Sequence, residues 1–354
     1  MNRISWVRWL DSFSDNRKSK TCTELSRSIQ NRKWVGFLAI VVALTVCGAR
    51  AEAQPAKLYR VGVIHQGGPY EAVVDGLRDG LRVLGYEEGK HFLLDIRDLK
   101  GDLKVVEEAA RNLERENANL IFAVTTSVAA AVKNVTSRVP IVFSVGTDPV
   151  GSKLVQSFAK PGGRLTGVQY STTDLTGKRL EILKEILPKL TRVVTFYNPN
   201  NRISVEASAL ARQAGKQFGV QLVERHATSV DELRQRVGAL KAKEADAYFY
   251  TTDGMVTSQA QLVIDMATSK KLPTMFSEQS LVAMGGLASY GQNFHEVGRL
   301  SAKYVQKILT GAQPGDLRIE TVDKYELIIN LKTAKQIGLT IPPNVLARAD
   351  RVIK

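Results

Sequence analysis

Short apolar runs alternate with amphipathic stretches along most of the chain, the repeat expected of β-α units on a parallel sheet. The first run, 59–64, reads as a buried strand. After it, Tyr70, Val73, Val74, Leu77, Leu81 and Leu84 recur at helical spacing, and Gly85 supplies a left-handed stop. Further strands are expected at 92–96, 120–124, 141–144 and 165–169, with Pro161-Gly162-Gly163 turning the chain before the last. A helix over 174–187 ends at Pro188. A second series follows, with strands at 193–197, 220–225, 247–250, 274–276 and 287–290 and helices at 204–218, 230–241 and 256–269. The remainder predicts a helix over 296–309, a break at 311–315, a strand over 325–331 and a short helical tail.

This order predicts an α/β protein of two Rossmann-like lobes with parallel sheets. Lobe 1 is expected over 58–169, completed by 292–320, and lobe 2 over 170–291. Residues 321–354 form a C-terminal strand and helix whose lobe the pattern leaves open. No low-complexity linker separates the two series, which implies a hinge rather than a loose tether. Right-handed crossovers gather the strand C-termini of each lobe at one edge. Where two such edges face each other, the ligand site is the cleft between them.

Composition narrows the class. The 354 residues are 44% hydrophobic and 24% charged, which is ordinary globular usage and excludes a disordered chain or a small disulfide scaffold. At about 100–200 residues per domain, two domains are expected. The net charge is +14, and nine basic against four acidic residues fall in 1–53. Elsewhere acids interleave with the bases (Glu107-Glu108, Asp231-Glu232), so the charge reads as a solvated surface rather than a nucleic-acid interface. Arg32-Lys33, an apolar run from Trp34 to Cys47 and the small-x-small site Ala51-Glu52-Ala53 make a secretory signal peptide over 1–53. The run is short for a membrane span of about 20 residues; an uncleaved anchor is the alternative. Both cysteines, Cys22 and Cys47, lie in this leader, so the mature chain carries no thiol.

Enzyme chemistry finds no foothold. No G-x-x-x-x-G-K-[ST], G-x-G-x-x-G or G-x-S-x-G occurs, and the four histidines are too scattered for a metal pair. No catalytic residue, metal or cofactor is therefore assigned. The segments just past the strands are instead rich in hydroxyls, amides and tyrosines: 66–70, 125–127, 146–148, 169–172, 197–201, 251–254, 277–279 and 289–291. Thr125–Ser127 would set hydroxyls and free backbone N–H groups at a helix N-terminus, a seat for a carboxylate. Asp253, on the other lobe, would pair an ammonium. Tyrosines such as Tyr70 would supply flat walls with a polar tip. Asp148, followed by Pro149, fits turn or N-cap chemistry as readily as binding. Together these strand ends suit a small polar ligand.

Longer segments resemble a known family. They include Tyr-Arg-Val-Gly-Val (59–63), Gly-Leu-Arg-x-Leu-Gly-Tyr-x-Glu-Gly (80–89), Ala-Lys-Pro-Gly-Gly-x-x-Thr-Gly (159–167) and Gly-Lys-Arg-Leu-Glu-x-Leu-Lys-Glu (177–185). Tyr-Glu-Leu-Ile-Ile-Asn-Leu-Lys-Thr-Ala-Lys (325–335), Gly-Leu-Thr-Ile-Pro-Pro (338–343) and Leu-Ala-Arg-Ala-Asp (346–350) complete the set. Over roughly 58–354 the chain resembles the substrate-binding proteins of ABC transporters, in the group with tryptophan- and tyrosine-type members. The resemblance implies a type I periplasmic-binding-protein fold, with a hinge of several strands and ligand held in the cleft. It also implies binding positions at Ser127, Asp148, Tyr197 and Asp253, with Thr126 and Tyr290 beside them.

The expected function is therefore an exported, periplasmic solute-binding protein. It captures a small polar solute, amino acids among the candidates, and delivers it to ABC permease subunits in the membrane. It is expected to act as a monomer and to bind no nucleic acid. An exported sensor that presents the closed clamp to a receptor is the alternative. A repressor effector domain of the same fold would call for an N-terminal helix-turn-helix, where this chain has an apolar leader.

Overall fold

A computed structural model describes residues 58–354 apart from Ser171 and Ala242. The signal peptide expected over 1–53 lies outside the described residues. The chain begins with β1 (Tyr59–His65), α1 (Glu71–Val83), β2 (Phe92–Asp98), α2 (Val106–Arg115), β3 (Leu120–Val124), α3 (Thr126–Val135), β4 (Ile141–Val145) and β5 (Leu165–Tyr170). It continues through α4 (Thr176–Ile186), β6 (Arg192–Tyr197), α5 (Arg202–Phe218), β7 (Gln221–His226), α6 (Val230–Ala239), β8 (Ala247–Phe249), α7 (Gly254–Ser258) and α8 (Ala260–Ser269). Then follow β9 (Thr274–Glu278), α9 (Ser280–Ala283), β10 (Ala288–Gln292), α10 (Phe294–Leu309), β11 (Glu320–Val322) and β12 (Glu326–Asn330). The C-terminal part is α11 (Leu331–Ile337), α12 (Pro343–Leu346) and β13 (Arg351–Ile353).

The strands sort into two sheets. One has the order β11-β5-β4-β3-β1-β2 and is parallel throughout. The other runs β13-β12-β10-β9-β8-β6-β7. Each sheet is covered on both faces, which is why its central strands are apolar at consecutive positions. In β3, Leu120, Phe122 and Val124 join the core under α1 and α10, whereas Ile121 and Ala123 join the opposite core under α2 and α3. The second sheet is sandwiched likewise, with α4, α5 and α11 on one side and α6 and α8 on the other.

Helix α10 crosses back to the first sheet and packs on α1. Glycines allow the approach: a Cβ at Gly76 would lie on the His295 carbonyl oxygen, and one at Gly298 on that of Val73. The chain also passes between the sheets after β5 and again between β11 and β12. These connections form the hinge. Strand β11, parallel to β5, ends at the edge facing the second sheet. A strand entering the second sheet from that edge must run away from it, so β12 lies antiparallel to β10. Pure parallel pairing was the expectation from the sequence, and this topological step is what breaks it. Strands β11 and β13 are three residues each, too short to leave a period-2 signal. The expected helix over 256–269 is two helices, interrupted at Gln259 (φ −107°, ψ 25°).

Candidate functional site

A chamber lies where the C-terminal edges of the two sheets meet. The first lobe contributes Gln66, Tyr70, Thr125, Thr126, Ser127, Gly146, Tyr170, Thr172 and Phe294; the second contributes Asn201, Ile203, Tyr250, Thr252, Asp253, Gly254 and Ser277. In this conformation it encloses about 20 Å³ of free space. That is room for about a water molecule or two. An open groove of about 550 Å³ continues outward from it, sharing Thr126, Ser127, Asn201 and Ile203.

Helix α3 points its N-terminus at the chamber. Its cap, Thr125, stands at φ 87°, ψ 153°, a conformation a β-branched residue seldom adopts. Two bonds fix its side chain: Gln66 Nε2 donates to Thr125 Oγ1 at 3.0 Å, and the Val128 N–H donates to the same oxygen at 3.4 Å. Thr126 and Ser127 then head the helix, where backbone N–H groups have no intrahelical acceptor. Thr126 Oγ1 accepts from Thr147 Oγ1 at 2.9 Å. Ser127 Oγ donates across the cleft to Asn201 Oδ1 at 3.1 Å, a direct bond between lobes.

Asp253 faces this end from the other lobe. It is buried as the N-cap of α7, and its oxygens accept from the Asn198 N–H at 2.8 Å and the Val256 N–H at 3.0 Å. Burial raises its pKa, and the two backbone donors offset part of that rise. Gly254 follows it, and a Cβ there would fall on the side-chain amide of Gln66. Gly68 likewise abuts the Ser258 backbone, where an added Cβ would come within 2.9 Å of its carbonyl oxygen. Small residues on both sides thus let the lobes close to van der Waals contact. Aromatic rings make the walls: Tyr70 stacks on Phe294 (centroids 5.3 Å apart, 16° between planes), and Tyr170 meets Phe294 edge-on at 5.5 Å. Tyr250 closes the second lobe's side, its hydroxyl 2.8 Å from Thr257 Oγ1.

Of the residues singled out from the sequence, Tyr70, Thr126, Ser127 and Asp253 come together in this chamber. Asp148, Tyr197 and Tyr290 stand outside its lining. Asp148 is exposed, and its carboxylate accepts the Val150 N–H at 2.9 Å, the turn chemistry weighed for it above. Tyr197 turns toward β7, with its hydroxyl donating to Glu224 Oε2 at 2.6 Å and lying 2.9 Å from His226 Nε2. Tyr290 packs its ring against Tyr325 in the hinge. Gln66, Thr125, Thr172, Thr252 and Ser277 lie within the polar strand ends recognised in the sequence but were not chosen individually, and Tyr250 was read only as the end of a strand. Phe294 carried no signal, because a phenylalanine opening a helix reads as core.

The family model for ABC transporter substrate-binding proteins matches residues 60–353. The chain belongs to this family. A tyrosine-binding protein of Clostridioides difficile is 29% identical over 268 residues, covering 75% of this chain and 76% of its own. Among solved structures, a Streptococcus pneumonia protein in complex with L-Trp is 25% identical with a TM-score of 0.75, over 84% of this chain and 100% of its own. A ligand-free, open substrate-binding protein from Clostridium difficile is 26% identical over 84% and 99%, with a TM-score of only 0.57. This substrate-binding protein has the type I periplasmic-binding fold, here with its lobes closed. Its relatives bind solutes for transport. No helix among the described residues is long and apolar enough to cross a membrane.

Proposed function

We propose that this substrate-binding protein carries an amino-acid-like solute, aromatic side chains included, from the periplasm to its permease. The observation that carries this reading is the meeting, in one chamber between lobes, of a helix N-terminus, a buried carboxylate and a set of aromatic rings. The ligand carboxylate sits on the first N–H groups of α3, at Thr126 and Ser127, and the ammonium sits on Asp253. Tyr70, Tyr170, Tyr250 and Phe294 flank the side chain. Two relatives lend support: one is a tyrosine-binding protein and another holds L-Trp. Export by a leader cleaved after Ala53, and action as a monomer, complete the reading.

Closure follows from contacts made to both lobes at once, since a ligand shifts an equilibrium only by its differential affinity for the two states. A thermal-shift panel of L-tyrosine, L-tryptophan, tyramine and a neutral sugar tests the assignment. Ligand at a hundred times its dissociation constant adds about 2.7 kcal/mol, a shift of several degrees for a protein of this size. The amino acids are expected to stabilise the protein, and Asp253→Asn to abolish their effect. Stabilisation by the sugar alone overturns the reading.

A further inference from the structure

A guanidinium with unmet hydrogen-bonding capacity stands behind the chamber wall. Arg179, in the N-terminal part of α4, is fully buried. Its Nη2 donates to the Thr172 carbonyl oxygen at 2.7 Å and to Thr176 Oγ1 at 3.2 Å, whereas Nε and Nη1 meet no acceptor. Among the described residues no carboxylate pairs with it, and burial lowers its pKa to about 10. The N-terminal end of a helix is also the wrong place for a cation, because the helix dipole is positive there. A buried charge without a partner and two buried donors without acceptors are each destabilising. Such an arrangement survives where something other than stability requires it.

The surroundings decide from which side an acceptor can arrive. Leu180, Leu183 and Ile186, further along the same helix, belong to the apolar core of the second lobe. Thr172 and Tyr250, by contrast, line the chamber. Thr172 is bonded to Arg179, and Tyr250 lies within electrostatic range of it. Two other chamber groups are also unmet: Gln66 Oε1 and Thr252 Oγ1.

We propose that Arg179 is a specificity residue: its buried charge, set behind Thr172 of the chamber wall, favours a carboxylate over a neutral group on the ligand held by α3. This deepens the amino-acid reading above and rests on it. The N-terminus of α3 already favours a carboxylate over a carboxamide; a buried, unpaired guanidinium adds to that preference, because only an anion neutralises it. With Asp253 as the anionic partner on the second lobe, the chamber is matched to a zwitterion.

Calorimetric titration of the whole protein with L-tyrosine, L-tyrosinamide and L-tryptophan, for wild type, Arg179→Gln and Arg179→Lys, tests this. Wild type is expected to prefer L-tyrosine over its amide by at least tenfold. In Arg179→Gln that ratio should fall by severalfold through loss of affinity for the acid. Arg179→Lys keeps the charge without the planar donors and should give an intermediate ratio; it also serves should the Gln variant fail to fold. A ratio unchanged in the variants overturns Arg179 as a source of the preference for the acid while leaving the amino-acid reading intact. Failure of wild type to bind any of the three probes overturns that reading, and this inference with it.

Discussion

Asp148 and Asp253 look alike in the sequence, each an acid just past an apolar strand and followed by a turn-forming residue. Their fates differ through burial. The Asp148 turn lies on the rim in solvent, whereas Asp253 is enclosed where the second sheet meets the first lobe. Glu278, at the end of β9, is a third acid, and its burial is nearly complete. Burial pushes its pKa up to about 7, although its carboxylate accepts from both the backbone and hydroxyl of Ser280. A carboxyl whose pKa is higher in the folded than in the unfolded chain binds more protons when folded. Its contribution to stability is therefore full below its unfolded value and falls as pH rises through about 7. The difference from the ordinary glutamate value corresponds to about 3 kcal/mol. Glu278→Gln should thus gain stability over wild type at pH 8.5 and lose that advantage at pH 4.5. Denaturant titrations at the two pH values read the difference; parallel stabilities across the range would remove Glu278 as its source.

At the level of elements, closure depends on how near α7 can come to the loop after β1. Gly254 opens α7 directly against Gln66, which is itself held by Thr125. Gly254→Ala puts a methyl group into that contact. Alanine suits a helix better than glycine, so the second lobe should fold as before. The closed state alone is overpacked, at a cost of about 1–3 kcal/mol, and ligand affinity should drop about tenfold or more. Equal melting temperatures without ligand, together with weaker binding by calorimetry, are the expected pair of results. Unchanged affinity would mean that Gln66 moves aside and the seam is not limiting.

For the whole molecule, the prediction is a change of shape. The chain crosses between its sheets on three connections, an arrangement suited to rotation of one lobe against the other. The closed chamber has room for about a water molecule or two, so a clamp that takes up an amino acid has a more open form without ligand. Small-angle scattering should show a larger radius of gyration without ligand and compaction on adding a solute identified by thermal shift. Superimposable profiles would rule out the clamp.

The alternation of apolar runs and amphipathic helices determined by itself the α/β class, the order of the elements and the polar character of the strand ends, because burial on both faces of a parallel sheet writes a period directly into the chain. Thr126, Ser127, Tyr70 and Asp253 could be chosen on that basis alone. The partnership of Thr125 with Gln66, 59 residues away, could not, nor could the unmet donors of Arg179, whose motif reads as an ordinary amphipathic helix. The turn of β12 against β10 likewise leaves no mark in the sequence. These features depend on which segments meet when two lobes close, and contacts between distant segments have no local period for the sequence to display.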